Sequence, residues 1–512
     1  MSARSEAGIR TQVRRPSPTH PDPHDGATFH ELMREQLARA PWLLLSVAVH
    51  TVVIALLFLI PAEPPPAAPP VTTVLAPSTP ERIEEPEKPI EKPKIEPADP
   101  AQLLELASPS EDLPPAPNED ESVEDFVPSD HFDAAMTNAV GLGSAGPAGY
   151  AGRRPGGRPR GGAGWHEHME KALSWLRAHQ DSDGRWDCDA FMKHDRQGAP
   201  CDGRGDPLHD VGVTGLALLA FLGDGNTLRD GPYRDVVRAG VNWLRLQQDP
   251  DTGLIGTADS HSFIYDHAIA TLALCEAQGL SQYRTLRGPA QAAIRHLQAH
   301  RNPYGTWRYQ PRSGDQDMSI TGWAYLALAS ADGFGLEVDR RSFGLIDSFI
   351  DEMTDDHARV GYSERGGLSS RHAGAHEKRF PADRNEGMTA TALLCQMLRK
   401  DATLDAAARR KAEVIARRQP VWDNGAKGSS LDFYAWYYST YAMYQIGGPL
   451  WETWSRSLGQ AVLKHQRLDG NFAGSWDPVD AWGDDGGRVY STAILALTLQ
   501  AYYRYARTIG GR

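Results

Sequence analysis

The sequence is poor in cysteine and has no densely basic domain, and each shortage excludes a class of protein. Four cysteines in 512 residues are too few for a disulfide scaffold and too scattered for a zinc cage. Residues 61–130 carry about all of the net charge of −13, so the rest of the chain is close to neutral. Because binding to phosphate backbones needs a dense basic face, we expect no nucleic-acid partner.

The four cysteines fall into two kinds of environment. Cys188 and Cys201 lie thirteen residues apart in one loop, and in an oxidising compartment we expect them to form a disulfide. Cys275 and Cys395 fall inside apolar helical runs, where buried thiols with a packing role are expected.

One apolar run is long enough to cross a bilayer. Residues 42–60 contain no acidic or basic side chain apart from His50, and at 1.5 Å per residue they span roughly 28 Å. The segment lies too far from the start to resemble a cleaved signal peptide, so residues 41–61 are predicted to form a retained transmembrane helix.

The arginines around this helix predict its orientation. The first basic residue after it is Arg82. Before it stand six arginines: Arg4, Arg10, Arg14, Arg15, Arg34 and Arg39. Basic residues stay on the cytoplasmic side, so residues 1–40 are predicted to be a disordered cytoplasmic tail. The chain is then a single-pass protein of the inner membrane, with its main domain in the periplasm.

A long linker follows the membrane helix. Residues 61–130 hold 18 of the 37 prolines, and the composition then shifts to glycine, alanine and arginine. Proline favours extended backbone and neither composition can bury a core, so residues 62–164 are predicted to be a disordered spacer.

The membrane helix and spacer resemble those of TonB-type proteins over about residues 34–100. Ser46 and His50 lie four residues apart on one helix face, and EEPEKPIEKPKIEP is similar to the TonB spacer. In that family this face contacts a proton-driven motor of the ExbB/ExbD kind, so the resemblance implies such a partner. A plain anchor that tolerates one histidine remains an open alternative.

From Trp165 the sequence predicts an all-α repeat domain of about six helix pairs, over residues 165–508. The second helix of each pair starts with small residues and stays apolar, which indicates burial on most sides. Those starts lie at residues 213–216, 269–272, 320–323, 388–391, 438–441 and 490–493. Buried second helices inside amphipathic first helices predict a closed double ring, an α/α toroid. The last helix is as apolar as the middle ones, which favours closure over an open solenoid.

The loops between helices resemble the QW repeats of the prenyltransferase and squalene-cyclase repeat family. Residues 180–186 and 466–472 match Gln-xxx-Gly-x-aromatic, and residues 248–253 and 304–307 are degenerate copies. The resemblance covers about residues 165–505 and implies the α/α toroid that this family shares. The motif has a structural role, because glycine permits the turn after the helix.

The resemblance also indicates where chemistry would occur. Class II terpene cyclases use the central Asp of Asp-x-Asp-Asp as an acid, and Asp315-Gln-Asp317 before the third inner helix is the nearest match. Asp317 would be the acid, but Met318 replaces the last Asp, and capping of the helix N-terminus is the competing interpretation. The Asp-x-Cys motif of zinc-dependent protein prenyltransferases is absent, so we expect no metal site and no cofactor.

Further polar and aromatic residues are candidates for the cavity wall, because they lie near the starts of inner helices. They are Asp210, Tyr265, Asp266, His267, Trp323, Trp436, Tyr437, Tyr438 and Tyr490. Helix capping and core packing are the alternatives for all of them.

Two functions remain open at this stage. The first is a membrane-anchored binding or scaffold toroid in the periplasm, coupled to an ExbB/ExbD-type motor. The second is a terpene-cyclase-like enzyme that uses Asp317 on an isoprenoid or other apolar ligand from the membrane. The defective Asp motif and the long spacer favour the first.

Overall fold

The computed structural model describes Thr51 and residues 163–505, apart from Gln197, Lys400, Asp401, Asn424 and Ala426. The predicted membrane helix lies outside the described residues except for Thr51. The predicted tail, and the predicted linker as far as residue 162, also lie outside them. Within the described part of the chain, no helix is both long and apolar enough to span a bilayer.

Between residues 163 and 505, twelve helices of the described chain alternate between an outer and an inner position. The outer helices are α1 (Ala163–Ala178), α3 (Arg234–Leu246), α5 (Arg284–His300), α7 (Arg341–Met353), α9 (Ala406–Ala416) and α11 (Gly448–Val462). The inner helices are α2 (Asp210–Gly223), α4 (Phe263–Ser281), α6 (Met318–Gly333), α8 (Gly387–Met397), α10 (Phe433–Ile446) and α12 (Gly483–Leu499). One further helical turn, Ala375–Arg379, lies in the loop between α7 and α8.

The inner helices form a closed ring. Each packs on the next along the chain, from α2 to α12, and α12 packs back on α2. The first outer helix, α1, also packs mainly on α12, so the two ends of the domain meet. The described residues contain no β-strand beyond two isolated bridges. The predicted all-α fold and α/α toroid of six helix pairs are thereby confirmed.

Small residues allow the inner helices to approach closely, as their positions in the sequence suggested. A side chain on Gly322 of α6 would come within 2.2 Å of Thr391 on α8. On α2, a side chain at Gly215 would come within 3.0 Å of Ile269 on α4. Interiors are packed so densely that even one added methyl group would push these helices apart.

The QW-type loop of the first repeat ties three segments together. The Gln180 side chain donates to the Gly184 carbonyl (2.8 Å) and to the Val236 carbonyl of α3 (3.0 Å). The buried Trp186 indole donates to the Leu176 carbonyl at the end of α1 (2.7 Å). The motif therefore fixes the turn after α1 and attaches it to the next outer helix, a structural role as predicted.

In the last repeat the predicted motif is shifted by four residues. Gln466 donates to the carbonyl of Gly474 (2.8 Å), and the buried Trp476 donates to the end of α11 at Val462 (2.8 Å). Gly474 and Trp476 thus take the places of Gly184 and Trp186, so the assignment of Gly470 and Phe472 to the motif was wrong. Both pairs have the Gly-x-aromatic spacing, and the tertiary contacts of the glutamine and the tryptophan select the later one.

A buried ion pair lies near the ends of the first inner helices. Arg504, which follows α12, donates to both carboxylate oxygens of Glu276 on α4 (2.9 Å each) and to the Leu219 carbonyl of α2 (2.7 Å). The side chains of Arg504 and Glu276 are 0% and 1% exposed. The segment after the last helix therefore fastens α12 to the first two inner helices and helps to close the ring.

Candidate functional site

A cavity of about 410 Å³ lies on the ring axis, where the inner helices begin. All six inner helices contribute residues from their early turns to its wall. In α12 the early turns are those that follow the kink at Gly487. The contributing residues are Val213, Leu216, Tyr265, Ile269, Ser319, Trp323, Met388, Tyr434, Tyr490 and Ile494. Because all these helix starts face one cavity, their partial positive charges converge on it and favour carboxylates and polar groups there.

Trp323 forms part of the wall and is held rigidly from behind. Its ring stacks on Tyr437 at a centroid distance of 5.6 Å and an angle of 16°, and it meets the Tyr438 ring edge-on at 5.4 Å. Tyr437 and Tyr438 are themselves buried behind the wall. The cavity wall is therefore apolar and rigid at this point, which suits a hydrophobic ligand.

His209 and Asp266 form a charged pair at the cavity. The Nδ1 atom of His209 lies 3.1 Å from both carboxylate oxygens of Asp266. Burial alone would lower the pKa of His209, but the hydrogen bond and charge of Asp266 raise it to about 9. His209 is thus an imidazolium at neutral pH, and its charge is matched by the carboxylate of Asp266.

A second charged pair fixes the cavity mouth. Arg371 donates to Asp432 (2.7 Å), and both side chains are 3% exposed. Asp432 also accepts hydrogen bonds from the Asn385 side chain (2.9 Å) and from the backbone N–H of Ala435 in α10 (2.8 Å). The Arg371 guanidinium lies over the Trp482 ring, 5.5 Å from its centroid. Because every group is satisfied, this pair is suited to positioning the mouth rather than to reacting.

The loop that carries Arg371 is attached to the last repeat. Next to Arg371, the Nε2 atom of His372 lies 3.1 Å from Asp485, and this hydrogen bond raises the pKa of His372. The Nε2 atom of His376 donates to the Ala481 carbonyl (2.8 Å). Residues 369–372 line the cavity, so this loop forms one side of its mouth.

Asp317 caps α6, as the competing interpretation proposed. One carboxylate oxygen accepts from the backbone N–H groups of Ser319 (2.7 Å) and Ile320 (3.0 Å). The other oxygen is buried beside the Tyr362 hydroxyl. Burial raises the pKa of Asp317 to about 6. The side chain stands behind Tyr362, which lines the cavity. Asp315 is exposed and does not line the cavity.

Four of the nine predicted wall residues line the cavity: Tyr265, Asp266, Trp323 and Tyr490. The hydroxyl of Tyr265 shares a hydrogen bond with Ser319 on the neighbouring inner helix (2.8 Å). Tyr265 and Ser319 thus join two neighbouring inner helices at the cavity wall.

The remaining predicted wall residues face away from the axis. Asp210 accepts from the Cys188 backbone N–H (2.8 Å), and burial raises its pKa to about 7. His267 is fully buried and accepts from the Ile255 backbone N–H (3.1 Å), and burial lowers its pKa to about 3. Trp436 packs on Phe433 at a centroid distance of 5.4 Å. With Tyr437 and Tyr438, these three support the ring instead of lining the cavity.

The wall residues that the sequence analysis missed include Tyr309, Tyr362, Arg371, Asp432 and Trp482. Asp432 could have been found, because an aspartate directly before a buried helix is a common cap. The other four stand in loops, and their approach to the axis depends on the path of the chain between helices.

Cys188 and Cys201, predicted to form a disulfide, are buried free thiols in the structure. Their backbone N–H groups are bound by different carboxylates, Asp210 for Cys188 (2.8 Å) and Asp195 for Cys201 (2.6 Å). The predicted contact residues Ser46 and His50 lie outside the described residues.

The described residues define an α/α toroid with a central, largely apolar cavity. No protein-family model matches the chain. No curated protein matches it either. Several solved structures do match.

One is an α-amylase from Clostridium perfringens, at 12% identity over 66% of this chain and 98% of that chain, with a TM-score of 0.43. A second is the type II terpene cyclase MstE from Scytonema with its substrate geranylgeranyl dihydroxybenzoate, at 14% identity over 66% and 97%, TM-score 0.40. A third is an α-1,6-mannanase of Salegentibacter with α-1,6-mannotriose, at 11% identity over 66% and 99%, TM-score 0.45.

These proteins have different activities, and with TM-scores of 0.40 to 0.45 they carry no argument about the function of this chain. The assignment of an α/α toroid therefore rests on the closed ring of inner helices in the described residues.

Proposed function

We propose that the toroid binds a small amphipathic molecule, an isoprenoid or another ligand with an apolar body and a polar head, in its central cavity. The observation that carries this proposal is the cavity of about 410 Å³ to which all six inner helices contribute. Its size falls in the range of roughly 300–1,000 Å³ that is usual for small-molecule sites. A purely structural ring would gain packing energy by filling this space with side chains.

The distribution of polarity in the wall indicates how such a ligand would lie. Leu216, Ile269 and Ile494 project from the inner helices and supply apolar surface for the ligand's body. At the mouth stand the imidazolium of His209 and the exposed side chain of His372, both hydrogen-bond donors. A hydroxyl or carboxylate head would be placed at the mouth, with the apolar body directed toward the middle of the ring.

Ligand binding can be tested with geranylgeraniol, a probe that has an apolar chain and one hydroxyl. We expect full-length protein to bind it with a micromolar Kd, read from the fluorescence of Trp323 and Trp482 in the wall. Val213→Phe adds volume inside the cavity, so it should weaken binding about tenfold, or ~1.4 kcal/mol.

The matched control is Leu246→Phe, on the outer helix α3, where the side chain is 64% exposed. It makes a comparable change away from the cavity and should leave the Kd unchanged. Equal affinities for the two variants would refute binding in the cavity.

A second candidate function, acid catalysis, is favoured by Asp317. Its carboxyl is buried beside Tyr362, which lines the cavity, and burial raises its pKa to about 6, so roughly a tenth of it carries a proton at pH 7. A carboxyl with a raised pKa is a weaker acid, so it suits protonation of an oxygen better than protonation of an alkene. If the toroid is a catalyst, mixtures of the protein with geranylgeraniol should contain a new product. Asp317→Asn should abolish formation of this product without loss of geranylgeraniol binding. Unchanged geranylgeraniol in every mixture would count against this function for that probe.

We further propose that the toroid is held at the inner membrane by residues 41–61, with its main domain in the periplasm, and that this anchor contacts an ExbB/ExbD-type motor. The Ser46 and His50 face and the arginine asymmetry support this. The double variant Ser46→Ala, His50→Ala should insert normally, because it raises apolarity, yet lose crosslinking to the motor. Retention of the crosslink would leave only a passive anchor.

A further inference from the structure

Outside the cavity, three side chains with metal-binding atoms meet at the end of the first outer helix. His179 directly follows α1, Asp195 follows a 3₁₀ turn at Phe191–His194, and Cys201 lies in the loop beyond. Their nitrogen, oxygen and sulfur atoms all lie within 4.8 Å of one another. His179 and Cys201 are buried, and the Asp195 side chain is only 7% exposed. Imidazole, carboxylate and thiolate are the three side-chain ligands that zinc prefers.

The orientation of the histidine is that of a metal ligand. The Nδ1 atom of His179 lies 2.8 Å from the Trp175 carbonyl, and because a carbonyl can only accept, Nδ1 carries the hydrogen. The ring also stacks on Trp175 at a centroid distance of 4.0 Å, which fixes its plane. The other nitrogen, Nε2, is thereby left to present its lone pair toward the carboxylate of Asp195, 3.2 Å away. A backbone carbonyl that orients a histidine in this way is the usual outer support of a zinc ligand.

Asp195 is oriented just as firmly. One of its oxygens accepts from the Cys201 backbone N–H (2.6 Å), and the other faces His179. For bonds of about 2.0–2.1 Å to nitrogen and oxygen, tetrahedral geometry places two ligand atoms roughly 3.3 Å apart. The observed separation of 3.2 Å between the His179 nitrogen and the Asp195 oxygen fits this value.

We propose that His179, Asp195 and Cys201 form a binding site for a zinc ion. The ion would bind His179 through Nε2, Asp195 through one carboxylate oxygen and Cys201 through its sulfur, with water as the fourth ligand. Binding releases the thiol proton of Cys201 to solvent, and no electron is transferred. The sequence analysis expected no metal site, because the Asp-x-Cys motif is absent, and these three residues are spread over 23 positions.

The site lies at the seam of the ring, away from the cavity. None of the three residues lines the cavity. The loop that carries Asp195 and Cys201 contacts the last repeat, since Asn471 donates to the Ala199 carbonyl (3.0 Å) and the buried Arg488 of α12 donates to the Asp202 carbonyl (2.9 Å). A metal ion bound here would hold this loop, which joins the first and last repeats, against α1.

The test is metal analysis of the full-length protein. We expect about one zinc ion per chain after purification without chelator, and, on replacement by cobalt, an intense near-ultraviolet thiolate-to-cobalt absorption band. Cys201→Ala and Asp195→Asn should each lower the zinc content at least about tenfold, because three-ligand sites tolerate no loss.

Cys395→Ala is the matched control, since Cys395 is an equally buried thiol on α8 and should not affect the metal. A wild-type protein that folds with a normal melting transition yet takes up neither zinc nor cobalt would overturn the proposal. A Cys188–Cys201 disulfide in that protein would do the same, because it removes the thiolate ligand.

Discussion

Replacing Glu276 with glutamine is expected to destabilise the toroid by about 3–5 kcal/mol. Glu276 and Arg504 have side chains that are 1% and 0% exposed, so the variant leaves a guanidinium buried without its counter-charge. Arg504 also connects the segment after α12 to α2 through the Leu219 carbonyl, so the loss should weaken ring closure. The measurement is the free energy of unfolding of the full-length protein in urea.

A surface ion pair provides the control for this prediction. Glu167 and Lys171 form a pair on α1 with side chains that are 73% and 39% exposed, so Glu167→Gln should have almost no effect on the free energy of unfolding. The double variant Glu276→Leu, Arg504→Met removes both buried charges and should recover most of the lost stability. Equal effects of Glu276→Gln and Glu167→Gln would contradict the role given to the buried pair.

Gly184→Ala is expected to cost about 3 kcal/mol of unfolding free energy, because strain and a clash coincide at this position. Gly184 has a φ of +103°, which side-chain-bearing residues rarely adopt. An added Cβ would lie 2.2 Å from the Ala239 carbonyl oxygen of α3, which is backbone and cannot move aside cheaply. The loop would then have to separate from the next outer helix. Urea unfolding measures the cost.

The last repeat offers a matched pair of variants for the same loop. A side chain at Gly474 would lie 2.3 Å from the Lys171 carbonyl oxygen, whereas one at Gly470 would meet nothing within 4 Å. Gly474→Ala should therefore be about as costly as Gly184→Ala, and Gly470→Ala should cost only about 1 kcal/mol from its left-handed backbone. A larger cost for Gly470→Ala than for Gly474→Ala would support the assignment of Gly470 to the motif that was made from the sequence.

The fold was predictable because its signals are local. The small residues at the starts of the inner helices and their near-continuous apolarity predicted burial on most sides, and most residues of these helices are buried in the ring. The Gln-to-Trp pattern was equally visible in the first repeat. It failed in the last one because Gly470 and Gly474 both precede an aromatic residue by two positions, and only packing on α1 distinguishes them.

The candidate site was only partly predictable, because the rotation of α10 and the path of the loop that carries Arg371 depend on contacts that are not local in the sequence. Of the consecutive residues Trp436, Tyr437 and Tyr438, none lines the cavity, whereas Tyr434 does, and that rotation of α10 is set by packing on its neighbours. Arg371 reaches the axis from a long loop between α7 and α8, whose path depends on contacts with Asp432 and Trp482. The His179, Asp195 and Cys201 cluster is hidden in the sequence for the same reason.

The number of ligand molecules bound at saturation tests most directly whether the ring encloses a binding cavity. Equilibrium dialysis of the full-length protein against radiolabelled geranylgeraniol gives this number. One cavity of about 410 Å³ on the ring axis predicts saturation at one molecule per chain, with occupancy reduced in Val213→Phe at the same free concentration. Uptake that never saturates, or saturation that Val213→Phe leaves unchanged, would contradict the account.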